Sequence, residues 1–303
     1  MNAVLSPLTK SSNTTFEKSI KVSEIVDAYK VYEIDVSSYF SAISEVSVYK
    51  CNETNYSFYY PFNLSGNSAF YEHFQKFDWY YMSWKWEHEI TKEYIKPGMK
   101  LLEVGCAHGD FIKKVNEHYD LEYSVGLELN ETTKDKDGKW EIINQTIQDY
   151  SKQNENKFDI VCSYQVLEHI TEVHSFIKGK IDCLKSGGTL IISVPNNDSF
   201  IKDGKGCLNM PPHHMGLWNE KSLVELTNMF PLKLIKVHFE ELQEYHISGY
   251  VFSEYYSKYS KLVGKIIQKL HKISGLYNKR IKETNLNKQH LKGHTILVAY
   301  QKI

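Results

Sequence analysis

Residues 101–109 read Leu101-Leu102-Glu103-Val104-Gly105-Cys106-Ala107-His108-Gly109, an apolar run carrying an acid and then two glycines four apart. Such a run is how a strand enters a tight turn and opens a helix. Lacking a Cβ, the glycines let a ligand approach the backbone. A turn that cradles a pyrophosphate needs G-x-G-x-x-G; the spacing here is G-x-x-x-G, with Glu103 just ahead of it. A carboxylate repels pyrophosphate and suits a cation. The pattern points to a positively charged nucleoside ligand and away from a dinucleotide. A second acid, Glu128, ends the next apolar run beside Leu129, and its two oxygens can accept from a pair of hydroxyls. Further along, Glu168 precedes His169, an orienter and base in principle, and Pro211-Pro212 precede His213 and His214. Histidine titrates near neutrality, which suits it to taking a proton, and proline's fixed φ stiffens the loop.

Those residues need a scaffold that gathers strand ends. From residue 98 the pattern alternates strand and helix. Strands are expected at 100–104, 123–128, 141–144, 158–163, 189–194 and 232–239, and a last one at 294–301. Helices are expected at 111–118, 172–184 and 220–229. This alternation predicts an α/β fold, a doubly wound, Rossmann-like, seven-stranded sheet that is mostly parallel with an antiparallel last strand. Lys185-Ser186-Gly187-Gly188 reads as the turn that ends a helix before the fifth strand. Ligands in such sheets sit outside the carboxyl ends of the strands. The glycine turn, Glu128 and His169 all fall at such ends.

Outside this core the pattern changes. Residues 1–30 are polar and read as a loose arm, and 46–51 and 56–60 alternate like a small β-ribbon. Residues 67–95 read as helix, capped by Asn67 or Ser68, with Phe70, Phe74, Phe77 and Tyr81 at helical spacing. The stretch from Trp79 to Glu87 is dense in aromatic rings, suited to packing on the next domain or to facing a cation. Between the sixth and seventh strands, residues 241–293 read as a basic helical insert. From Ser253 to Lys292 it has nine lysines and one arginine against Glu254 and Glu283. Val263, Ile266, Ile267, Leu270 and Ile273 line one helix face, which is expected to pack on the core. A membrane face or an anionic glycan carrier is the other use of such a surface. The boundaries are therefore 1–75 for arm and ribbon, 76–240 with 294–303 for the ligand-binding domain, and 241–293 for the insert.

The glycine turn and its flanking acid resemble the first motif of the class I S-adenosylmethionine (SAM)-dependent methyltransferases. Five further segments fall in that family's order over roughly residues 76–240, and the strand near 294–302 resembles the family's terminal strand. The resemblance implies SAM as cofactor, with S-adenosylhomocysteine as its product. It implies a seat built from Glu103, Gly105, Cys106 and Gly109, with Glu128 and neighbouring Leu129 at the ribose. Similar proteins read adenine with a loop like Thr146-Ile147-Gln148-Asp149, where Ile147 would lie beside the ring. Gln148 or Asp149 would meet its amino group. Tyr164 and Gln165 would face the methionyl end. Similar methyltransferases carry the P-P-H-H segment near the acceptor and often have Leu-Glu-His where Leu167-Glu168-His169 stand, which makes His214, His213 and His169 the candidate catalytic bases, His214 first. Relatives often hold zinc in an N-terminal ribbon with paired cysteines; this chain has only Cys51 there, and no metal is expected.

The P-P-H-H loop and the G-H-x-x-x-V end at Gly293–Val298 resemble methyltransferases found with surface-polysaccharide and sugar-modifying enzymes. The expected acceptor is a nucleotide-sugar or other glycan precursor, methylated on oxygen or nitrogen. A quinone-precursor or small-phenol O-methyltransferase is the alternative, and a non-catalytic SAM-binding scaffold is a further one. Composition bounds the rest. A net charge of −1 over 303 residues argues against a nucleic-acid partner. Arg280 is the only arginine, so an anion must be held by lysines, amides or helix ends. Five cysteines without C-x-x-C spacing and no signal-like apolar start suggest a reducing, cytoplasmic setting.

Overall fold

The computed structural model describes residues 3–77, 79–80, 82–130, 135–202, 206–259 and 261–303; Tyr81 lies outside them. The chain opens with β1 (Thr14–Lys21), α1 (Val22–Tyr29), β2 (Glu45–Cys51) and β3 (Ser57–Tyr60), followed by the short helices α2 (Ser68–Phe74) and α3 (Trp86–Thr91). The core elements follow as β4 (Lys100–Val104), α4 (Asp110–His118), β5 (Tyr123–Leu127), β6 (Asp135–Asp137), β7 (Trp140–Ile143), α5 (Ile147–Tyr150) and β8 (Phe158–Tyr164). After them come α6 (Val173–Cys183), β9 (Leu184–Pro195), β10 (Gly216–Leu217), α7 (Glu220–Val224), α8 (Leu226–Met229) and β11 (Leu232–Glu241). The insert is α9 (Ile247–Lys258), α10 (Lys261–Ile273) and α11 (Leu276–Asn287), and β12 (Lys292–Lys302) ends the chain.

The main sheet runs β11-β12-β9-β8-β4-β5-β7-β6. Its centre, β9-β8-β4-β5-β7, is parallel. The terminal strand β12 lies antiparallel between β9 and β11, as expected. Both faces are covered, so successive residues of a strand enter different cores. Leu102, Val161, Leu190 and Val298 pack on one side, and Leu101, Ile160, Ile191 and Leu297 on the other. Among the described residues the sheet has eight strands where seven are predicted. The extra one, β6, pairs antiparallel with β7; its sequence, Asp-Lys-Asp, has no apolar alternation that a sequence reading could detect. The Lys185–Gly188 turn is drawn into the start of β9.

The N-terminal region is more ordered than its composition predicts. β1 pairs with β2, β2 with β3 and β3 with β10, giving a second, four-stranded antiparallel sheet. Its core buries Ile25, Tyr29, Phe40, Phe70 and Phe74, so residues 1–30 are not a loose arm. The single helix expected over 67–95 is two short ones; the Asn67 side chain caps the first by accepting from the Phe70 amide. Among the described residues, no helix is long and apolar enough to cross a membrane.

Candidate active site

Strand β4 delivers Glu103 and the glycine bend to the edge of a cavity of about 1170 Å³. Gly105 and Gly109 both take positive φ, +77° and +73°, where a side chain is strained. A Cβ on Gly105 would come within 2.5 Å of Val166, and one on Gly109 within 2.4 Å of Ile142. The bend is fastened to the next strand: the Gly105 and Cys106 amides both donate to the Leu127 carbonyl, at 2.8 and 3.1 Å. Gly105 and Cys106 line the cavity, whereas Gly109 stands behind the lining as the N-cap of α4.

Glu128 is aimed by backbone donors. One carboxylate oxygen accepts from the Ala107 amide at 2.9 Å, and the other from Leu129 and Asn130 at 2.8 and 3.1 Å. It lines the cavity with Leu129, and the oxygen held by Ala107 alone keeps a lone pair for a further donor. Glu103 is buried, and its Oε2 has no hydrogen-bond partner. Burial pushes its carboxyl up to about 8, with the charges of Glu128 and Asp110 adding to the effect. A buried, unsatisfied carboxyl oxygen next to a second acid fits a cation. These residues therefore fit a sulfonium nucleoside.

Ile147 and Gln148 line the cavity at the start of α5. Asp149 is turned outward: it ion-pairs with Lys152 at 2.7 Å and accepts the Thr146 hydroxyl proton at 2.9 Å. Thr146 in turn caps the helix by accepting from the Asp149 amide. The helix cap thus takes Asp149 away from the cavity and leaves Gln148 on its lining. Tyr164 also lines the cavity, its hydroxyl donating to Thr91 Oγ1 at 2.9 Å and its ring edge-on to His88.

At the other end of the cavity the three histidines meet, with one nitrogen of each ring within 4.8 Å of one on the others. Their Nδ1 atoms are committed. That of His169 contacts the His213 carbonyl at 2.6 Å, that of His213 the Leu208 carbonyl at 2.8 Å, and that of His214 Asn209 Oδ1 at 3.1 Å. An oxygen that only accepts requires the proton on Nδ1, which leaves the lone pair on Nε2. The His213 Nε2 lone pair takes the Tyr80 hydroxyl at 2.6 Å. Those of His169 and His214 lie 3.9 and 4.0 Å from Glu168 Oε1. Glu168 is buried with Oε2 unpartnered, and burial raises its carboxyl to about 8. Burial lowers all three imidazoles, His169 to about 4, so they are neutral at pH 7.

The N-terminal sheet holds the histidine loop. The Tyr29 hydroxyl donates to the Met210 carbonyl and accepts from the His213 amide. The Gly66 amide donates to the Pro212 carbonyl, the Tyr59 amide to the Met215 carbonyl, and the Met215 amide to the Glu168 carbonyl. Sequence reasoning missed this brace because it links residues far apart in the chain. It also missed a further polar wall of the cavity, formed by Lys85, Glu87, Tyr245, His246 and His294. The Glu240 carboxylate sits behind this wall, accepting from the His294 and Thr295 amides at 3.0 Å each. No fixed spacing joins these residues, and Tyr245 and His246 come from the start of the insert.

The methyltransferase domain family matches residues 79–242, more than half of the chain. A phosphoethanolamine N-methyltransferase of Triticum aestivum is 28% identical over 120 residues, 35% of this chain and 23% of that protein. A ubiquinone biosynthesis O-methyltransferase of Vibrio atlanticus (strain LGP32) is 28% identical over 107 residues, 33% of this chain and 45% of that protein. The chain thus spans less than half the length of either relative. A crystal structure of a SAM-dependent methyltransferase from Archaeoglobus fulgidus is 17% identical with a TM-score of 0.47, covering 71% of this chain and 92% of that one. Since the matched residues include the glycine bend, Glu128 and the histidine loop, the chain belongs to the methyltransferase domain family, with S-adenosylmethionine as its cofactor.

Proposed function

We propose that this protein transfers a methyl group from SAM to an oxygen, or a nitrogen, of a small acceptor, and that the acceptor is a sugar or glycan precursor such as a nucleotide-sugar. One observation carries the reading: His214 Nε2 is an unprotonated base next to buried Glu168, on the wall of the cavity that also contains Glu103 and Glu128. The named activities of the two curated relatives, on nitrogen and on oxygen, support a heteroatom acceptor.

When bound, SAM supplies an electrophilic methyl group on a sulfonium. The residues of this chain do the rest. Glu128 would hold the ribose, its free lone pair accepting from a hydroxyl; Ile147 and Gln148 would border the base, and Glu103 would answer the positive charge. His214 takes the acceptor proton on Nε2, which base catalysis values at about 10²–10⁴-fold. The Asn209 oxygen keeps its Nδ1–H directed away, and the Glu168 carboxyl lies 4.0 Å from Nε2. His169 is the second base of the site; His213, with its lone pair taken by Tyr80, positions the loop. Holding both reactants in line contributes up to about 7–11 kcal/mol.

The wall of Lys85, Glu87, Gln165, Tyr245, His246 and His294 offers donors and acceptors in the density a polyhydroxylated ring needs, and supports the sugar over a phenol. In this reading residues 1–75 brace the acceptor loop, 76–240 with 294–303 bind SAM, and the insert from 241 supplies part of the acceptor wall. The five buried, unpaired cysteines support a reducing, cytoplasmic setting. The test is release of S-adenosylhomocysteine on a panel of nucleotide-sugars and small phenols. Turnover on a sugar confirms the reading, turnover on a phenol alone replaces the acceptor, and SAM binding without turnover on any acceptor sinks it in favour of a scaffold role.

A further inference from the structure

The insert helix α10 does not pack its apolar face on the core. Gly264 is buried, Ile267 is half-buried against the cluster of Leu242, Ile247 and Val251, and His271 Nδ1 meets the Tyr255 hydroxyl at 3.0 Å. These contacts turn the rest of the helix outward. Val263, Ile266, Leu270 and Ile273 are 44, 53, 58 and 75% exposed. At about 100° per residue they form one stripe, and Lys265, Lys269 and Lys272 form the adjoining one. The three lysines are exposed, and no ion pair among the described residues engages them. The helix has no acid. Single exposed apolar residues are ordinary, but four aligned along about 15 Å of helix beside a cationic stripe are not.

We propose that α10 is a membrane-interface helix that docks the protein on an anionic lipid surface. Its apolar stripe enters the boundary between headgroups and acyl chains, and its lysine stripe meets the headgroup phosphates. Charge decides the occupant. A second copy of α10 would set lysine stripe against lysine stripe, and a neutral partner would leave the lysines unanswered, whereas an anionic bilayer satisfies both stripes at once. A helix of this kind lies in the plane of the interface, in keeping with its length, too short to span a bilayer. The inference stands apart from the methyl-transfer chemistry, because α10 contributes no residue to the cavity.

The experiment is co-sedimentation of the full chain with vesicles of equal parts phosphatidylcholine and phosphatidylglycerol, against vesicles of phosphatidylcholine alone. Binding to the anionic vesicles only, weakened by added salt, is expected. Ile266→Asp with Leu270→Asp should abolish it while SAM affinity and melting temperature stay unchanged, and Lys265→Glu with Lys269→Glu should weaken it by roughly fivefold or more per charge. Equal sedimentation with both vesicle types, full binding by the Ile266→Asp/Leu270→Asp variant, or binding to neither vesicle overturns the proposal. So does a concentration-dependent dimer that this double variant dissolves, since a second copy would then be what covers the stripe.

Discussion

The Tyr29 hydroxyl donates to the Met210 carbonyl at 2.8 Å, joining the first helix of the chain to the loop that presents His213 and His214. Tyr29 itself is buried, and the same hydroxyl accepts from the His213 amide. Tyr29→Phe keeps the ring and removes the tie, while the Met210 carbonyl still accepts from the His213 and His214 amides. We expect a loss of about 0.5–1.5 kcal/mol, the net worth of a hydrogen bond whose partners keep other contacts. We also expect lower turnover with unchanged SAM affinity. Thermal melting, calorimetric SAM titration and S-adenosylhomocysteine release measure the three quantities.

His214 and His213 should separate in their variants. His214→Ala removes the proposed base, and turnover should fall by about 10²–10⁴-fold with SAM affinity held. His213→Ala breaks the contact with Tyr80 and the anchor on Leu208, so its main effect should be a lower melting temperature. If His214→Ala retains full turnover, the base lies elsewhere, and His169→Ala becomes the deciding variant.

Gly105→Ala should lose SAM binding by about tenfold or more. The residue has φ of +77°, and a Cβ would strike Val166 at 2.5 Å; strain of this kind costs about 1–3 kcal/mol. Gly138→Ala, where a Cβ meets nothing within 4 Å, is the matched control. Equal SAM affinity in both variants would remove the glycine bend from the cofactor seat.

SAM affinity should rise with pH. Glu103 holds its proton up to about 8 without ligand, and a cation favours the ionised form. Affinity should therefore increase as pH goes from 6 toward 8, by at most about tenfold per pH unit. Glu103→Gln should flatten the profile. Calorimetric titrations at several pH values decide it; a flat profile for the natural sequence would show that Glu103 stays protonated with SAM bound.

Stability should pass through a maximum near neutrality. His169, lowered from an ordinary 6.5 to about 4, binds fewer protons folded than unfolded in that window. Its contribution is complete above about 6.5 and is lost as pH falls toward 4. Glu168, raised from 4.5 to about 8, acts in the other direction: its contribution is complete below about 4.5 and is lost as pH rises toward 8. Glu168→Gln should therefore lessen the fall in melting temperature between pH 6 and 8.5.

What could be read in advance follows the range of the interactions. Strand–helix alternation and the glycine bend are local, so β4, β5, β8, β9 and the gathering of Glu103 and Glu128 on one cavity were legible. Strand β6 was hidden because a polar hairpin carries no apolar period. The order of residues 1–30 was hidden because Tyr29 owes its burial to Phe70 and to the distant histidine loop. Gln148 and Asp149 could not be told apart until the helix cap on Thr146 took Asp149 outward. The polar wall of Lys85, Glu87, Tyr245, His246 and His294 draws on three separated parts of the chain, and no one-dimensional spacing reports it. The helix period of α10 was visible; which way it faced was decided by Gly264 and His271 seating the helix from the other side.

Strand β10, which begins two residues after His214, pairs with β3 rather than with the main sheet. The chain's two halves are thus sewn together at the point where an acceptor would enter. Leu8, Cys51, Tyr56 and Phe58 of the leading segment share one core with Val104 and Leu127 of the main sheet. Amputating that segment would therefore strip the frame from the histidine loop and, in the same cut, open the apolar floor beneath the glycine bend.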